Sequence, residues 1–358
     1  MSKDYARALA DTVMKRFPRA AEYPYKDWSY PQGYLLTGFS KLWEATGDVR
    51  HRDYIYEYCR THVTNEGEIL GFKGSSMDDM MAGAILAWMY EQTGEERYAK
   101  ACRRVYEAFQ DYPRTREGGF LHGRNGMPGQ MWVDGVFMGQ MFYCRYGHVF
   151  HEPSCFEETK RQFELIYRYC HVHDGLLAHA YSEDSLAEWA QGDGKSPCIW
   201  SEGLGWYALI LSEALDLVPA EHPAWSTAKR QLLELLEGLL KVQDASGLWY
   251  QVVDRPGDTD NWCDVSGSAM FTYAFRHALR LGLVAGESYE NAAQRGYAGI
   301  GSRMRENGEG LLDVYGACEG LCVQKSYEDY VYYPQKVNGQ EAVCGCLWAA
   351  VAEEYSKM

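Results

Sequence analysis

Residues 132–139 read WVDGVFMG and place an indole and a carboxylate just ahead of a glycine at the start of an apolar helix. An acidic or aromatic residue a few positions ahead of a glycine recurs at six predicted helix starts. These are Trp28 to Gly33, Asp78 to Gly83, Asp134 to Gly139, Glu202 to Gly205, Asp264 to Gly267 and Glu341 to Gly345. Successive starts lie 50 to 77 residues apart, which is enough for one helical hairpin and its loops. The repetition predicts six helical hairpins.

Six hairpins laid side by side close into a toroid, so the predicted fold is all-α, an (α/α)6 barrel. Helical periodicity dominates elsewhere too, as in AILAWMY at residues 84–90, and alternating strand patterns are scarce. Thr-Gly-Asp at residues 46–48 and Thr-Gly-Glu at residues 93–95 are typical helix ends, with glycine where a left-handed residue closes the helix. No Pro/Ser-rich linker divides the chain, so we expect residues 1–358 to form a single domain. The small residues at the inner-helix starts would let helices approach closely, and the neighbouring acidic and aromatic residues would face a shared pocket.

Charge excludes some classes of partner. The 358 residues include 35 Lys and Arg against 50 Asp and Glu, a net charge of −15. This balance leaves no basic stripe for a phosphate backbone or an anionic membrane, so we expect neither nucleic acid nor membrane as partner. The first eleven residues lack the apolar stretch of a secretory signal, and no run approaches the roughly 18 apolar residues of a membrane span. We therefore expect a cytoplasmic protein, whose oligomeric state the sequence does not determine.

The eleven cysteines are scattered among apolar neighbours, which is typical of reduced thiols in a core. The CxxxC at Cys318 and Cys322 and the CxC at Cys344 and Cys346 lack a second pair at zinc-binding spacing. We predict no metal site.

Two segments carry candidate catalytic carboxylates. Asp134 is flanked by apolar and aromatic residues, and desolvation there would raise its pKa and prepare a general acid, although nearby helix N–H groups act in the opposite direction. The alternative is an ordinary helix N-cap, a position that Asp favours. Asp78 and Asp79 are adjacent, so a helix can turn only one of them toward a given face.

Aromatic residues suggest a carbohydrate ligand. Trp200 and Trp206 lie six residues apart around glycines and would suit the face of a sugar ring. His179, in GLLAHAY at residues 175–181, would alone be read as a core or loop histidine.

Taken together, these segments resemble the unsaturated rhamnogalacturonyl hydrolases of glycoside hydrolase family 105 and, more distantly, the unsaturated glucuronyl hydrolases of family 88. The resemblance spans most of the chain. It rests on MD at 77–78, QMWVDGVFM at 130–138, GLLAHAY at 175–181, SPCIW and GW within 196–206, LWYQVVDRPG at 248–257 and SGSAMFTYA at 266–274. Members of that family are (α/α)6 barrels, in agreement with the six-hairpin interpretation.

The resemblance implies hydration of the C4=C5 enol ether that polysaccharide lyases leave at a non-reducing end, as in pectin degradation. Asp134 would protonate C4 while water adds at C5, and the resulting hemiketal would collapse and release the aglycone. Asp78 would be the partner carboxylate. The implied substrate-binding residues are Trp28, Met77, His122, Trp132, His179, Trp200, Glu202 and Trp206. Such chemistry needs carboxyls and a positioned water, so we expect no cofactor.

Glu202 departs from the family pattern, which commonly has Arg at this position. An anionic sugar facing Glu202 would be repelled unless the side chain turns away or a cation such as Arg124, Lys195, Arg255 or Lys336 compensates. Two alternatives therefore stay open. Asp134 and Glu202 could form the acid/base pair of a glycosidase for saturated sugars, or the protein could bind carbohydrate without catalysis.

Overall fold

The computed structural model describes residues 4–355 and is mostly helical. Its helices are α1 Tyr5–Arg16, α2 Tyr30–Thr46, α3 Val49–His62, α4 Met77–Met81, α5 Gly83–Thr93, α6 Glu96–Ala108, α7 Val133–Phe150, α8 Pro153–Cys170, α9 Ser201–Leu217, α10 Pro223–Val242, α11 Val265–Arg280, α12 Glu287–Ser302, α13 Tyr327–Val331 and α14 Gln340–Glu354. The first three residues of the segment on which the cytoplasmic prediction depends lie outside the described range.

The helices form two concentric rings. Neighbour contacts run from α2 to α4 and α5, then to α7, α9, α11 and α14, and from α14 back to α2, which closes an inner ring. The helices α1, α3, α6, α8, α10 and α12 pack around it, one in each hairpin. The predicted (α/α)6 barrel is confirmed, and all six predicted helix starts fall at the beginning of an inner-ring segment.

Local chemistry fixes the helix ends. Gly47 and Gly94 close α2 and α5 with φ of 68° and 65°, the left-handed conformation predicted for both positions. Asp4 and Asp48 cap α1 and α3 through side-chain bonds to backbone N–H groups.

Glycines at the inner-helix starts allow close packing, as predicted. A Cβ added to Gly267 on α11 would lie 2.1 Å from Ser201 Oγ and 2.5 Å from a Ser201 backbone atom on α9. On the facing helix, a Cβ at Gly205 would lie 3.2 Å from the Gly267 Cα. Any side chain at Gly267 would therefore push these two helices apart.

Short antiparallel ribbons join the helices at one end. The strands are β1 Gln130–Trp132, β2 His171–His173, β3 Leu176–Leu177, β4 Ala180–Ser182, β5 Trp249–Tyr250, β6 Cys263–Asp264, β7 Met304–Glu306, β8 Leu312–Val314, β9 Ala317–Cys318 and β10 Gln335–Lys336. The β1–β4 ribbon pairs Trp132 with Ala180, and the Val133 N–H donates to the His179 carbonyl. This ribbon brings the start of α7 beside the segment that carries His179.

The inner helices are buried almost all round, and the chain's large aromatic side chains fill the barrel. Trp206, Trp348, Tyr34 and Phe39 are each at most 2% exposed. Within residues 4–355, no helix combines the length and the apolar character needed to cross a bilayer.

Candidate active site

A cavity of about 420 Å³ opens at the end of the barrel where the inner helices begin. Its lining residues fall within six segments, 25–30, 75–78, 122–127, 132–138, 200–206 and 320–322. Most of the candidate site residues meet here. The predicted residues that line the cavity are Asp78, His122, Trp132, Asp134, Trp200, Glu202 and Trp206.

Asp134 is the second residue of α7, and its side chain is 13% exposed. The N-cap position belongs to Trp132, whose extended backbone precedes the helix, so the alternative of a simple Asp134 N-cap does not describe this helix. Asp134 Oδ1 lies 3.7 Å from His179 Nε2. Neither atom has a hydrogen-bond partner among the described residues, and both are buried; His179 itself lies behind the residues that line the cavity.

Burial dominates the electrostatics of Asp134. Desolvation raises its pKa to about 6, and the nearby Asp78 carboxylate acts in the same direction. His122 and the N–H groups of Asp134 and Gly135 favour the charged form and offset part of this effect. The sequence analysis anticipated both influences, and their balance leaves a carboxyl that can hold a proton near neutral pH.

Asp78 and Asp79 face different surroundings, as two adjacent residues on a short helix must. Asp79 Oδ2 accepts hydrogen bonds from the Ser75 N–H at 2.9 Å and the Ser75 hydroxyl at 2.6 Å. Asp78 lines the cavity, with its Oδ1 3.8 Å from His122 Nε2. Burial raises the pKa of Asp78, and His122 opposes the shift.

The two histidines are held by aromatic rings. His122 stacks on Trp132 with ring centroids 4.2 Å apart and an interplanar angle of 8°. His179 lies 4.5 Å from the Trp200 ring, and its Nδ1 is 2.9 Å from the Tyr330 hydroxyl. Burial lowers the pKa of His179 well below its usual value, so this imidazole is neutral. A phenol donating to Nδ1 would place the His179 proton on Nε2, which faces Asp134.

Two of the predicted indole side chains contribute to the cavity lining. Trp200 and Trp206 line the cavity although each is only 2% exposed. Trp206 packs against Tyr34 and Phe137, which fixes its orientation. Trp200 Nε1 is buried and has no hydrogen-bond partner among residues 4–355.

Trp28 and Met77 stand apart from the cavity. Trp28 donates from Nε1 to the Asp79 carbonyl at 3.0 Å and stacks on Tyr58. Met77 is 1% exposed and lies against Gly139 on α7. Both positions support the segment that carries Asp78. The structure places neither side chain on the surface that a sugar would meet.

A second cavity of about 440 Å³ lies at the opposite end of the barrel. Its lysine and arginine side chains are already paired, because Lys41 binds Glu213, Arg276 binds Glu290 and Glu353, and Arg280 binds Asp216. The candidate site residues lie at the other end of the barrel.

Comparison with known proteins agrees with this geometry. The sequence model of Glycosyl Hydrolase Family 88 matches residues 5–358. The chain belongs to this family. The protein is therefore a glycoside hydrolase, and the predicted relationship to families 105 and 88 is confirmed.

Three relatives illustrate the relationship. A solved family 105 glycoside hydrolase of C. acetobutylicum is 30% identical, with a TM-score of 0.91 over 98% of this chain and 99% of that chain. An unsaturated rhamnogalacturonyl hydrolase of Bacillus subtilis is 28% identical over 86% of this chain and 84% of its own length. An unsaturated glucuronyl hydrolase of Bacillus sp. GL1 is 12% identical with a TM-score of 0.72, a likeness of fold.

In this glycoside hydrolase the cation at the cavity is Lys26, which the sequence analysis missed. Among the described residues that line the cavity, Lys26 is the only lysine or arginine. The four cations considered earlier do not line it. Arg124 binds Asp111, Lys195 binds Asp193, Lys336 binds Glu319 and Arg255 packs over the Tyr327 ring. Lys26 lies shortly before α2, the first inner helix. Other cavity residues also lie near the start of an inner helix, and this shared position is the signal that would have found Lys26.

Tyr25 and Tyr30 complete the rim beside Lys26. Tyr25 is 58% exposed and has a φ of 97°, an uncommon value for a bulky residue. Its ring lies 5.9 Å from that of Tyr30 and 4.9 Å from Lys26 Nζ. An exposed ring at the mouth offers a face to a sugar beyond the reacting one.

No group of three or more His, Cys, Asp or Glu within residues 4–355 is arranged to hold a metal ion. The expectation that the enzyme needs no metal or organic cofactor stays a prediction.

Proposed function

We propose that this protein removes a 4,5-unsaturated uronyl residue from the non-reducing end of lyase-generated oligosaccharides by hydrating the C4=C5 bond, with Asp134 as proton donor. The observation that carries the proposal is a largely buried Asp134 carboxyl at the cavity wall with a pKa of about 6. An enol ether needs a proton at carbon before water can add, and a carboxyl group whose pKa is raised to about 6 keeps a protonated fraction near neutral pH that supplies it. The name of the B. subtilis relative, an unsaturated rhamnogalacturonyl hydrolase, supports action on an unsaturated uronyl residue.

The reaction begins with transfer of the Asp134 proton to C4. The positive charge that forms at C5 is shared with the ring oxygen. Water adds to C5 and returns its proton to the Asp134 carboxylate, so the enzyme ends as it began. The product is a C5 hemiketal. Opening of its ring leaves a hemiacetal at C1, which releases the aglycone alcohol.

Neighbouring residues prepare Asp134 for this role. The Asp78 carboxylate raises the pKa of Asp134. His122 lowers the pKa of both carboxyl groups and so offsets part of this effect. We place the attacking water near Asp134 Oδ1 and His179 Nε2, the two unpartnered atoms 3.7 Å apart. A neutral His179 can orient such a water without competing for the Asp134 proton.

Lys26 is proposed to contact the carboxylate of the anionic substrate. The Lys26 side chain is exposed at the cavity rim, and no salt bridge joins it to any described residue. Among the described lining residues Lys26 is the only lysine or arginine, and its charge acts on Asp78, so it is the charge partner that we assign to an anionic sugar.

The test is incubation with a panel of unsaturated oligosaccharides made by lyases from pectin and from other uronate polysaccharides. Hydration destroys the conjugated C4=C5 bond, so its ultraviolet absorbance falls as product forms. Saturated oligosaccharides of the same length are the control. Reducing-sugar release from the saturated set, with no absorbance loss in the unsaturated set, would contradict the proposal. Pectin as the source, a cytoplasmic location and a single domain over residues 1–358 stay predictions.

A further inference from the structure

The hydroxyl of Ser266 lies between two buried carboxyl groups. Ser266 Oγ is 2.8 Å from Glu202 Oε2 and 2.7 Å from Asp264 Oδ2. A serine hydroxyl carries one hydrogen and can donate it to only one of these oxygens. The other contact joins two oxygen atoms at hydrogen-bonding distance, and it needs a second proton on one of the carboxyl groups.

Asp264 has no position left for that proton. Its Oδ1 accepts the N–H groups of Ser266 at 3.3 Å and Cys318 at 2.9 Å. Its Oδ2 accepts the Gly267 N–H at 2.7 Å in addition to the Ser266 hydroxyl. A carboxylate has about four lone-pair positions, and all four are occupied here. Protonating Asp264 would break one of these bonds inside a fully buried helix cap.

Glu202 has the opposite surroundings. Glu202 is 2% exposed, and among residues 4–355 its carboxyl group makes one hydrogen bond, the one with Ser266. Burial raises the pKa of Glu202 well above its usual range, and the carboxylates of Glu341, Asp264 and Asp134 act in the same direction. The proton therefore resides on Glu202.

We propose that Glu202 is held as a neutral carboxylic acid by a chain in which its Oε2–H donates to Ser266 Oγ and the Ser266 hydroxyl donates to Asp264, so that Glu202 Oε1 faces the cavity as an uncharged acceptor for a substrate hydroxyl. This inference rests on the proposed function for the identity of the substrate. It explains how an anionic sugar is accepted at a wall that carries Glu where the family commonly has Arg. It also removes Glu202 as the ionised base that the acid/base-pair alternative requires.

Titratable groups from several elements face Glu202. The titratable groups that face it are Asp134 from α7, Asp264 at the start of α11, Glu341 from α14, Tyr30 and Tyr34 from α2, and Cys318 from β9. Glu341 accepts hydrogen bonds from the Tyr30 hydroxyl at 2.6 Å and Gln340 Nε2 at 2.8 Å. No cation forms a salt bridge with Glu202 or Glu341 within the described residues. Lys336 is paired with Glu319, and its charge also lowers the pKa of Glu341.

The variant Glu202→Gln separates the two protonation states. A glutamine amide can donate N–H to Ser266 Oγ and present its carbonyl to the cavity, which reproduces the neutral acid and not the carboxylate. We expect Glu202→Gln to retain hydration of unsaturated substrates, whereas Glu202→Ala raises KM about tenfold or more. In the wild type, KM rises at alkaline pH as Glu202 ionises against an anionic sugar. This rise disappears in Glu202→Gln.

Infrared difference spectroscopy tests the same state without turnover. Near neutral pH the wild-type minus Glu202→Gln spectrum cancels the carboxyl groups that the two proteins share, so it should show the C=O band of a protonated Glu202. Absence of that band would overturn the proposal. A Glu202→Gln protein that melts like wild type but loses about 100-fold in kcat would overturn it too. Failure of the proposed function would look different, because wild type would then leave the double bond intact while the infrared band persists.

Discussion

Asp134 lines the cavity with a largely buried side chain, and its Oδ1 has no hydrogen-bond partner among the described residues. We predict that Asp134→Asn lowers kcat by at least about 10²–10⁴-fold, because an amide keeps the shape but supplies no acidic proton. Loss of the ultraviolet absorbance of an unsaturated substrate measures the rate. A variant that keeps more than half of the wild-type rate would contradict the assignment.

Thermal melting at pH 8 supplies the control for that variant. Asp134→Asn removes the desolvation cost of a buried carboxylate, so it should melt at the same temperature as wild type or higher. A purely structural N-cap would instead make the matching Ala variant less stable by roughly 0.5–2 kcal/mol.

The pH dependence of the rate follows from the same carboxyl. The pKa of Asp134 is raised to about 6, and the reaction needs its protonated form. Raising the pH through 6 therefore removes the acid, and kcat/KM should fall about tenfold for each further pH unit. A rate that increases between pH 6 and pH 8 would show that Asp134 acts as a base.

Lys26 gives a prediction about substrate charge. We expect Lys26→Met to raise KM for an unsaturated uronate about tenfold, equivalent to about 1.4 kcal/mol, with a much smaller change in kcat. The methyl ester of the same substrate should bind both proteins equally, because it lacks the carboxylate. Lys100→Met, an exposed lysine on the outer helix α6, is the matched control. Equal KM values for Lys26→Met and Lys100→Met would remove Lys26 from the binding site.

For single residues, the sequence indicated which residue types lie near the site but not which way each side chain points. Asp134, Asp78 and Trp132 could be found because they stand beside inner-helix starts and in family motifs, whereas His122 was implied by the family resemblance alone. Trp28 stands at such a start as well, but its indole turns toward Tyr58 and the core. Which way a side chain points depends on packing between distant helices, and spacing along the chain does not contain that information.

Pairs of elements depend on the glycines at the inner-helix starts. We predict that Gly267→Ala lowers the free energy of unfolding by about 1–3 kcal/mol or more, since its Cβ would lie 2.1 Å from Ser201 Oγ and 2.5 Å from the Ser201 backbone. Chemical denaturation measures the change. The control is Gly301→Ala on the outer helix α12, where a Cβ would meet nothing closer than 3.5 Å. That variant should be neutral or gain up to about 1 kcal/mol from helix propensity. Equal free energies of unfolding for the two variants would contradict the prediction that the packing of α11 against α9 requires a glycine at position 267.

The inner helices were predictable as elements because each combines an apolar run with a recognisable start. The second inner segment differs in detail, since α4 and α5 are separate helices that meet at Ala82. The break coincides with the closest approach of α2, where a Cβ at Gly33 would lie 2.9 Å from the Ala82 Cα. A contact between two helices decides this boundary, so local periodicity could not show it. The two-residue and three-residue ribbons are too short to leave an alternating pattern.

The whole ring was predictable because a repeat of six hairpins has few ways to bury its apolar faces.

The charge of the cavity wall was harder to predict from the sequence than the ring. The sequence analysis sought a surface cation to balance Glu202, and the structure instead gives Glu202 a hydrogen-bonded chain through Ser266 to Asp264. Such a chain joins residues 64 positions apart, and it exists only once the starts of α9 and α11 touch.

The common orientation of the inner helices has an electrostatic consequence. Each helix start carries a partial positive charge of about half a unit from its aligned peptide dipoles, and the inner-ring starts surround one mouth. The molecule as a whole carries −15 and repels an anionic sugar at long range. Salt screens charges separated by more than about 8–10 Å but acts weakly inside a low-dielectric cavity. Added salt should therefore raise kcat/KM for unsaturated uronates, because it screens the long-range repulsion more than the attraction inside the cavity. Stopped-flow measurements over a series of sodium chloride concentrations would test this. A steady fall in kcat/KM over that series would mean that attraction at long range guides the substrate instead.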